Sequence, residues 1–136
     1  MPLFMKALLT IIILFSYSIT FSQTQSQNSV IGKVVYGKAS FYSSYLHGSK
    51  TATGGRYKNE AFTAASNTFK LHTWVKVTNT QNGKTVIVQI NDRMHKRMAK
   101  KGRVLDLSKA AAIELDFIKS GITKVKVEVI EKPTSQ

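Results

Sequence analysis

Val86-Ile87-Val88-Gln89-Ile90-Asn91-Asp92-Arg93 places Val86, Val88 and Ile90 on one row and Ile87, Gln89 and Asn91 on the other. The period of two predicts a strand with one face turned to a core. Asp92 then falls on the core-facing row. It is either a turn residue, if the strand ends at Asn91, or a partly desolvated acid at the mouth of a small β fold. A carboxyl group in the second position is a candidate general acid. Arg93 points to the opposite face if the register holds.

The neighbouring sequence extends this strand into a sheet. Trp74 to Thr80 alternates, with Val75 and Val77 facing inward. It reaches the Val86 strand through Gln81-Asn82-Gly83-Lys84, and Asn-Gly is a strong signal for a hairpin turn. Val34 to Tyr42 reads as a strand with Val35, Gly37, Ala39 and Phe41 on one face, and Gly37 marks a bulge or a close backbone crossing. Ala61 to Ala65 is a short buried strand. The last strand, Thr123 to Ile130, puts Val125, Val127 and Val129 inward. Between them, Ser108 is placed to cap one short helix over Lys109 to Leu115, with Ala110, Ile113 and Phe117 packing on the barrel. Asp106 is read as structural, holding the turn before that helix. Short strands around one small core favour a closed barrel, which removes exposed edges.

The chain has 136 residues, enough for one domain. Residues 1–22 carry Lys6, an apolar run from Ala7 to Tyr17 and small residues at Thr20 and Ser22, the pattern of a removed secretory signal. The alternative is a membrane-anchoring helix left in place. Residues 23–33 form a polar leader, residues 34–131 the domain and residues 132–136 a tail. Without cysteine, neither a lipid-modified N-terminus nor a disulfide framework is available. The expected place is therefore the periplasm or cell envelope, without a lipid anchor and with no transmembrane helix in the mature protein.

The formal net charge is +13, which attracts polyanions, and for an exported chain these are anionic envelope polymers. The densest basic stretch, Arg93 to Arg103, follows Asp92 directly. It carries no zinc-finger, basic-zipper or RNA-binding signature, so nucleic acid is not the expected partner. A solvated surface with no particular ligand accounts for the charge equally well.

Ser43 to Lys58 is loop chemistry, and Gly54-Gly55 lets a ligand approach the main chain closely or simply makes a flexible loop. His47 and His95 are placed to hydrogen-bond a sugar hydroxyl or Asp92, or to stand at the surface. His72 reads as a surface residue. Their spacing matches no zinc motif, so neither metal nor other cofactor is expected. Tyr42, Tyr45 and Tyr57 offer flat apolar faces for pyranose rings, with packing at the barrel end the alternative for Tyr42.

Several segments, taken in order, resemble one family. They are G-K-A-S-F-Y at Gly37 to Tyr42, H-G at His47 and Gly48, T-A-T-G-G-R-Y at Thr51 to Tyr57 and F-T-A-A at Phe62 to Ala65. V-x-V-T-N from Val75 to Asn79, Asn82-Gly83, the strand ending N-D-R at Arg93 and G-R-x-x-D-L-S-x-A-A-A at Gly102 to Ala112 complete the series. Together they resemble the rare lipoprotein A family. The resemblance implies a mainly β fold, a six-stranded double-psi β-barrel related to barwin-like, expansin and family 45 endoglucanase domains. It also implies an envelope lytic transglycosylase that cleaves MurNAc-GlcNAc linkages of peptidoglycan strands stripped of stem peptides and leaves anhydromuramyl ends.

In that resemblance Asp92 is the aspartate of the family's N-D-R and the candidate acid/base residue. The glutamate that follows T-A-N-G in the family is Gly55 here, and the histidine that follows T-A-A is Ser66. Glu60, five residues beyond Gly55, is the candidate for a supporting charge. Tyr42, His47, Thr51, Gly54, Gly55, Tyr57, Ser66, Asn91, Arg93 and His95 are the candidate substrate contacts. The two replacements leave a second reading open, a non-catalytic glycan-binding module like the expansin barrel.

Overall fold

The computed structural model describes residues 29–134; the expected signal at 1–22, residues 23–28 and residues 135–136 lie outside the described residues. The strands are β1 (Val30–Phe41), β2 (Thr63–Ala65), β3 (Trp74–Asn79), β4 (Thr85–Asp92), β5 (Arg103–Leu107) and β6 (Thr123–Ile130). They close in the order β1-β5-β2-β4-β3-β6. β1 with β5 and β2 with β4 pair in parallel, and the remaining neighbours are antiparallel. This is the six-stranded double-psi barrel that the resemblance implies, and closure leaves no strand edge unpaired.

The alternation read from the sequence sorts the side chains as expected. Val86, Val88 and Ile90 of β4, Val75 and Val77 of β3, and Val125 and Val127 of β6 fill one core with Leu105 and Leu107 of β5. The β3–β4 hairpin turns at Gly83, whose φ of 77° is open to glycine at little cost. Gly37 is required by contact: a Cβ there would stand 2.6 Å from Val104 Cγ1, and the β1–β5 register shifts just beyond it, between Lys38 and Ala39. β1 begins at Val30, which pairs with Ile130, four residues before the strand start expected at Val34.

Among the described residues two α-helices form where one was expected. α1 (Lys96–Lys100) rises from the basic stretch, capped by His95, whose ring accepts from the Arg97 amide. α2 (Lys109–Glu114) is capped by Ser108 as expected, through the Ala111 amide. Its buried face, however, is Ala111 and Ala112, followed by Leu115, whereas Ile113 is 57% exposed. The rotation is set from outside the helix. The Ser108 amide donates to the Thr63 carbonyl and the Ala110 amide to the Asn59 carbonyl, which turns Ala110 toward the loop. Phe117 is buried as expected and meets Phe41 edge-on.

Candidate functional site

A bulge decides where Asp92 points. Ala64 pairs with Ile90 and Ala65 with Asp92, so β4 advances two residues where β2 advances one. Ala64 belongs to the main core and Ala65 to a second cluster with Tyr42, Tyr57 and Met94. Asp92 therefore shares the face of Ala65 and leaves the row of Val86, Val88 and Ile90. It is a strand residue, half-buried, and the turn alternative does not hold.

The same row carries a second acid. β2 lies between β4 and β5, and Ala65 is flanked by Asp92 on one side and Asp106 on the other. Ser40 of β1 continues the row beyond Asp106. Two inter-strand steps separate the Cα atoms of the acids by about 10 Å. The residue between them has only a methyl group. Asp106 is thus a residue of β5 in the site, and its reading as a turn residue is corrected. Burial raises its carboxyl from 3.8 to about 6, against the hydrogen bond from Ser40 Oγ (3.0 Å) and the charge of Arg103, with the Asp92 charge adding to the rise. The signal was present in the sequence: Leu105 and Leu107 face the core, so the acid between them faces the other way.

Asp92 is held by three donors. Tyr42 Oη donates to Oδ2 at 2.5 Å, and the amides of Ala52 and Arg93 donate to Oδ1 at 2.9 Å each. Burial, then the bond to Asp92, pushes the Tyr42 phenol well above its usual range, so it keeps its proton and donates it to Asp92. Tyr42 stacks on Tyr57 with ring centroids 4.2 Å apart, and both rings are buried. Burial also raises the Tyr57 phenol, whose oxygen accepts from the Lys109 amide. Both rings are therefore internal supports and neither is open to a pyranose. Tyr45, 86% exposed, is the tyrosine of this loop that presents a face to solvent.

The loop Thr51 to Gly55 closes on itself through the Thr51 amide and Gly55 carbonyl, with Gly54 at φ +91°. It is anchored by the Thr53 amide on the Asn91 carbonyl and by Ala52 on Asp92. Thr51 is buried, and its hydroxyl faces Thr53 Oγ1 at 3.0 Å. A Cβ at Gly55 would approach nothing closer than 3.8 Å, so this position has room for a side chain. Ser66 is fully buried, donating to the Val104 carbonyl and accepting from the Thr68 amide. It is a structural residue and takes no part in the acid row. Arg93 turns its Nη1 to the carbonyls of Ser66 and Phe69 and pins the segment between β2 and β3. His95 is the cap of α1. His47 Nδ1 accepts from the Asn59 amide at 3.0 Å, so Glu60 at 3.7 Å meets a nitrogen without a proton. Glu60 is solvent-exposed beside His47 and makes no hydrogen bond to Asp92 or Asp106.

Two carboxyl groups on one row suit glycosidic chemistry when their environments differ. Here one is fixed by three donors as an acceptor, and the other is buried enough to hold a proton near pH 6. Ala65 between them is itself buried with Tyr42, Tyr57 and Met94, so a sugar linkage meets the acids only at their own partly exposed side chains.

The sequence profile of the family described as lytic transglycolase matches residues 34–127. The chain is 43% identical over 117 residues to the endolytic peptidoglycan transglycosylase RlpA of Neisseria meningitidis serogroup A, covering 85% of this chain and 47% of that protein. It is 44% identical over 109 residues to the RlpA protein of Pasteurella multocida, covering 80% and 36%. It therefore spans less than half the length of these relatives. Among solved structures, the Streptomyces papain inhibitor superposes with a TM-score of 0.59 at 20% identity, over 74% of this chain and 97% of that one. A Clavibacter michiganensis expansin mutant in complex with cellohexaose superposes with a TM-score of 0.57 at 23% identity, over 76% and 54%. These two likenesses show the fold. The profile match across most of the barrel shows more, and the chain belongs to the lytic transglycolase family.

Proposed function

We propose that this chain cleaves peptidoglycan strands stripped of stem peptides as an endolytic lytic transglycosylase, with Asp106 and Asp92 as its working acids. The observation that carries the reading is the row Ser40-Asp106-Ala65-Asp92, two carboxyl groups of unlike environment across one small residue. Asp106, protonated below about pH 6, gives its proton to the glycosidic oxygen as the bond to the muramic C1 breaks. Asp92, fixed by Tyr42 and two amides, faces the positive charge that develops at C1. The C6 hydroxyl of the same muramic acid attacks C1 and returns its proton to the Asp106 carboxylate. The products are a 1,6-anhydromuramyl end and a new N-acetylglucosamine 4-hydroxyl, with no water consumed. This division of labour moves the acid/base role from Asp92, expected from the resemblance, to Asp106.

The relatives named as peptidoglycan transglycosylases support the substrate and the reaction class, and the envelope as the place of action. The test is digestion of purified peptide-free strands with product analysis by mass spectrometry. Anhydromuramyl ends are expected from the wild type and lost in Asp106→Asn and Asp92→Asn. Undiminished yield from both variants would reject the assignment. The absence of the family's glutamate at Gly55 favours a second reading, glycan binding without cleavage. Cosedimentation with sacculi and no cleavage product would establish it.

A further inference from the structure

A line of three cations crosses the barrel beside the acid row. Lys38 of β1 stands directly opposite Lys124 of β6 on one side and Arg103 of β5 on the other. Like charges directly opposite on paired strands repel. No carboxylate among the described residues lies within salt-bridge distance of any of the three. Lys38 and Lys124 also line a cavity of about 440 Å³ with Tyr36, Gly37, Thr80, Gly102 and Val125. That volume suits a small ligand, and Tyr36, 68% exposed, gives it an aromatic wall. Lys38 precedes Ser40, the partner of Asp106, by two residues, or roughly 7 Å along the strand.

We propose that this cavity is a subsite for the free lactyl carboxylate of a muramic acid residue next to the cleaved linkage, held by Lys38 and Lys124. The inference rests on the reading of the acid row as a peptidoglycan-cleaving site. In a muramic acid that bears a stem peptide the lactyl carboxyl is an amide and carries no charge. In a peptide-free strand it is an anion on every second sugar. Charge complementarity therefore selects stripped strands at this subsite, and the sugar ring lies against Tyr36. The opposed lysines are tolerated because an anion between them removes the repulsion.

The experiment measures binding of the full chain to peptide-free glycan strands and to the same strands with their carboxyl groups reduced to alcohols. Wild type is expected to bind the reduced strands about tenfold more weakly, the size of a charge-assisted hydrogen bond. The double variant Lys38→Gln, Lys124→Gln is expected to lose that discrimination and to melt no lower than wild type. Lys38→Arg with Lys124→Arg, which keeps both charges, is expected to retain it. Equal binding of native and reduced strands by wild type would overturn the proposal, as would discrimination that survives in the Gln variant. Inorganic polyphosphate competing as well as the strands would overturn it in favour of a general polyanion surface. Carboxylate-dependent binding without anhydromuramyl products would sustain the subsite and count against the cleavage reading alone.

Discussion

Replacing Asp106 by asparagine is expected to make the protein more stable and, at the same time, inactive. Burial lifts this carboxyl from 3.8 to about 6. Between those values the folded chain keeps a proton that the unfolded chain has released, so stability falls as pH rises through the interval and stays low above it. The difference amounts to about 3 kcal/mol at neutral pH, as an upper estimate. An asparagine at 106 has no charge to desolvate, and its Oδ1 still accepts from Ser40 Oγ. Urea unfolding of both proteins at pH 3.5 and pH 7.5 gives the test, since titrating groups that do not sense residue 106 cancel in the comparison. The variant is expected to gain about 1–3 kcal/mol on wild type between the two pH values. Parallel behaviour at both pH values would refute the claim that Asp106 is strained by burial. Cleavage by wild type is correspondingly expected to decline above about pH 6, as the proton donor is lost.

Other substitutions probe the supports. Tyr42→Phe removes a buried donor from Asp92 while keeping the stack on Tyr57. It is expected to cost about 1–2 kcal/mol in chemical denaturation and to lower turnover more than it weakens strand binding. Gly37→Ala forces a Cβ to within 2.6 Å of Val104 and 3.2 Å of the Gly102 carbonyl, and a melting curve should show a loss of about 1–3 kcal/mol. In Gly55→Glu the added Cβ meets nothing closer than 3.8 Å, so stability should match wild type within about 0.5 kcal/mol. Its added carboxylate, on the loop that holds Asp92, is expected to raise the rate of strand cleavage in the same digestion assay.

The barrel was legible wherever contacts are local or periodic. Val86, Val88 and Ile90, Val125 and Val127, and the Asn82-Gly83 turn declare their faces within a few residues. The site was not legible in the same way, because its geometry arises between distant strands. The pairing of Ala65 with Asp92 depends on a bulge in a parallel ladder, and its pairing with Asp106 on the antiparallel ladder to the next strand. Ser40 and Asp106 lie 66 residues apart, and Tyr42 and Asp92 lie 50 apart. Period two therefore assigned Asp92 to the wrong face beyond Asn91. For Asp106 the alternation with Leu105 and Leu107 was available, and only its nearness to the helix cap made it look like a turn residue. Tyr42 and Tyr57 illustrate a further limit. Nothing in an aromatic residue's identity tells a sugar platform from an internal stack, and here burial gives the answer.

Digestion of peptide-free strands in ¹⁸O-labelled water tests the account most directly. If the muramic C6 hydroxyl is the nucleophile and Asp106 takes up its proton, the new muramyl ends carry the anhydro mass and no label. Muramyl ends that contain ¹⁸O, at the mass of a reducing sugar, would show attack by water and contradict the mechanism built on this acid row.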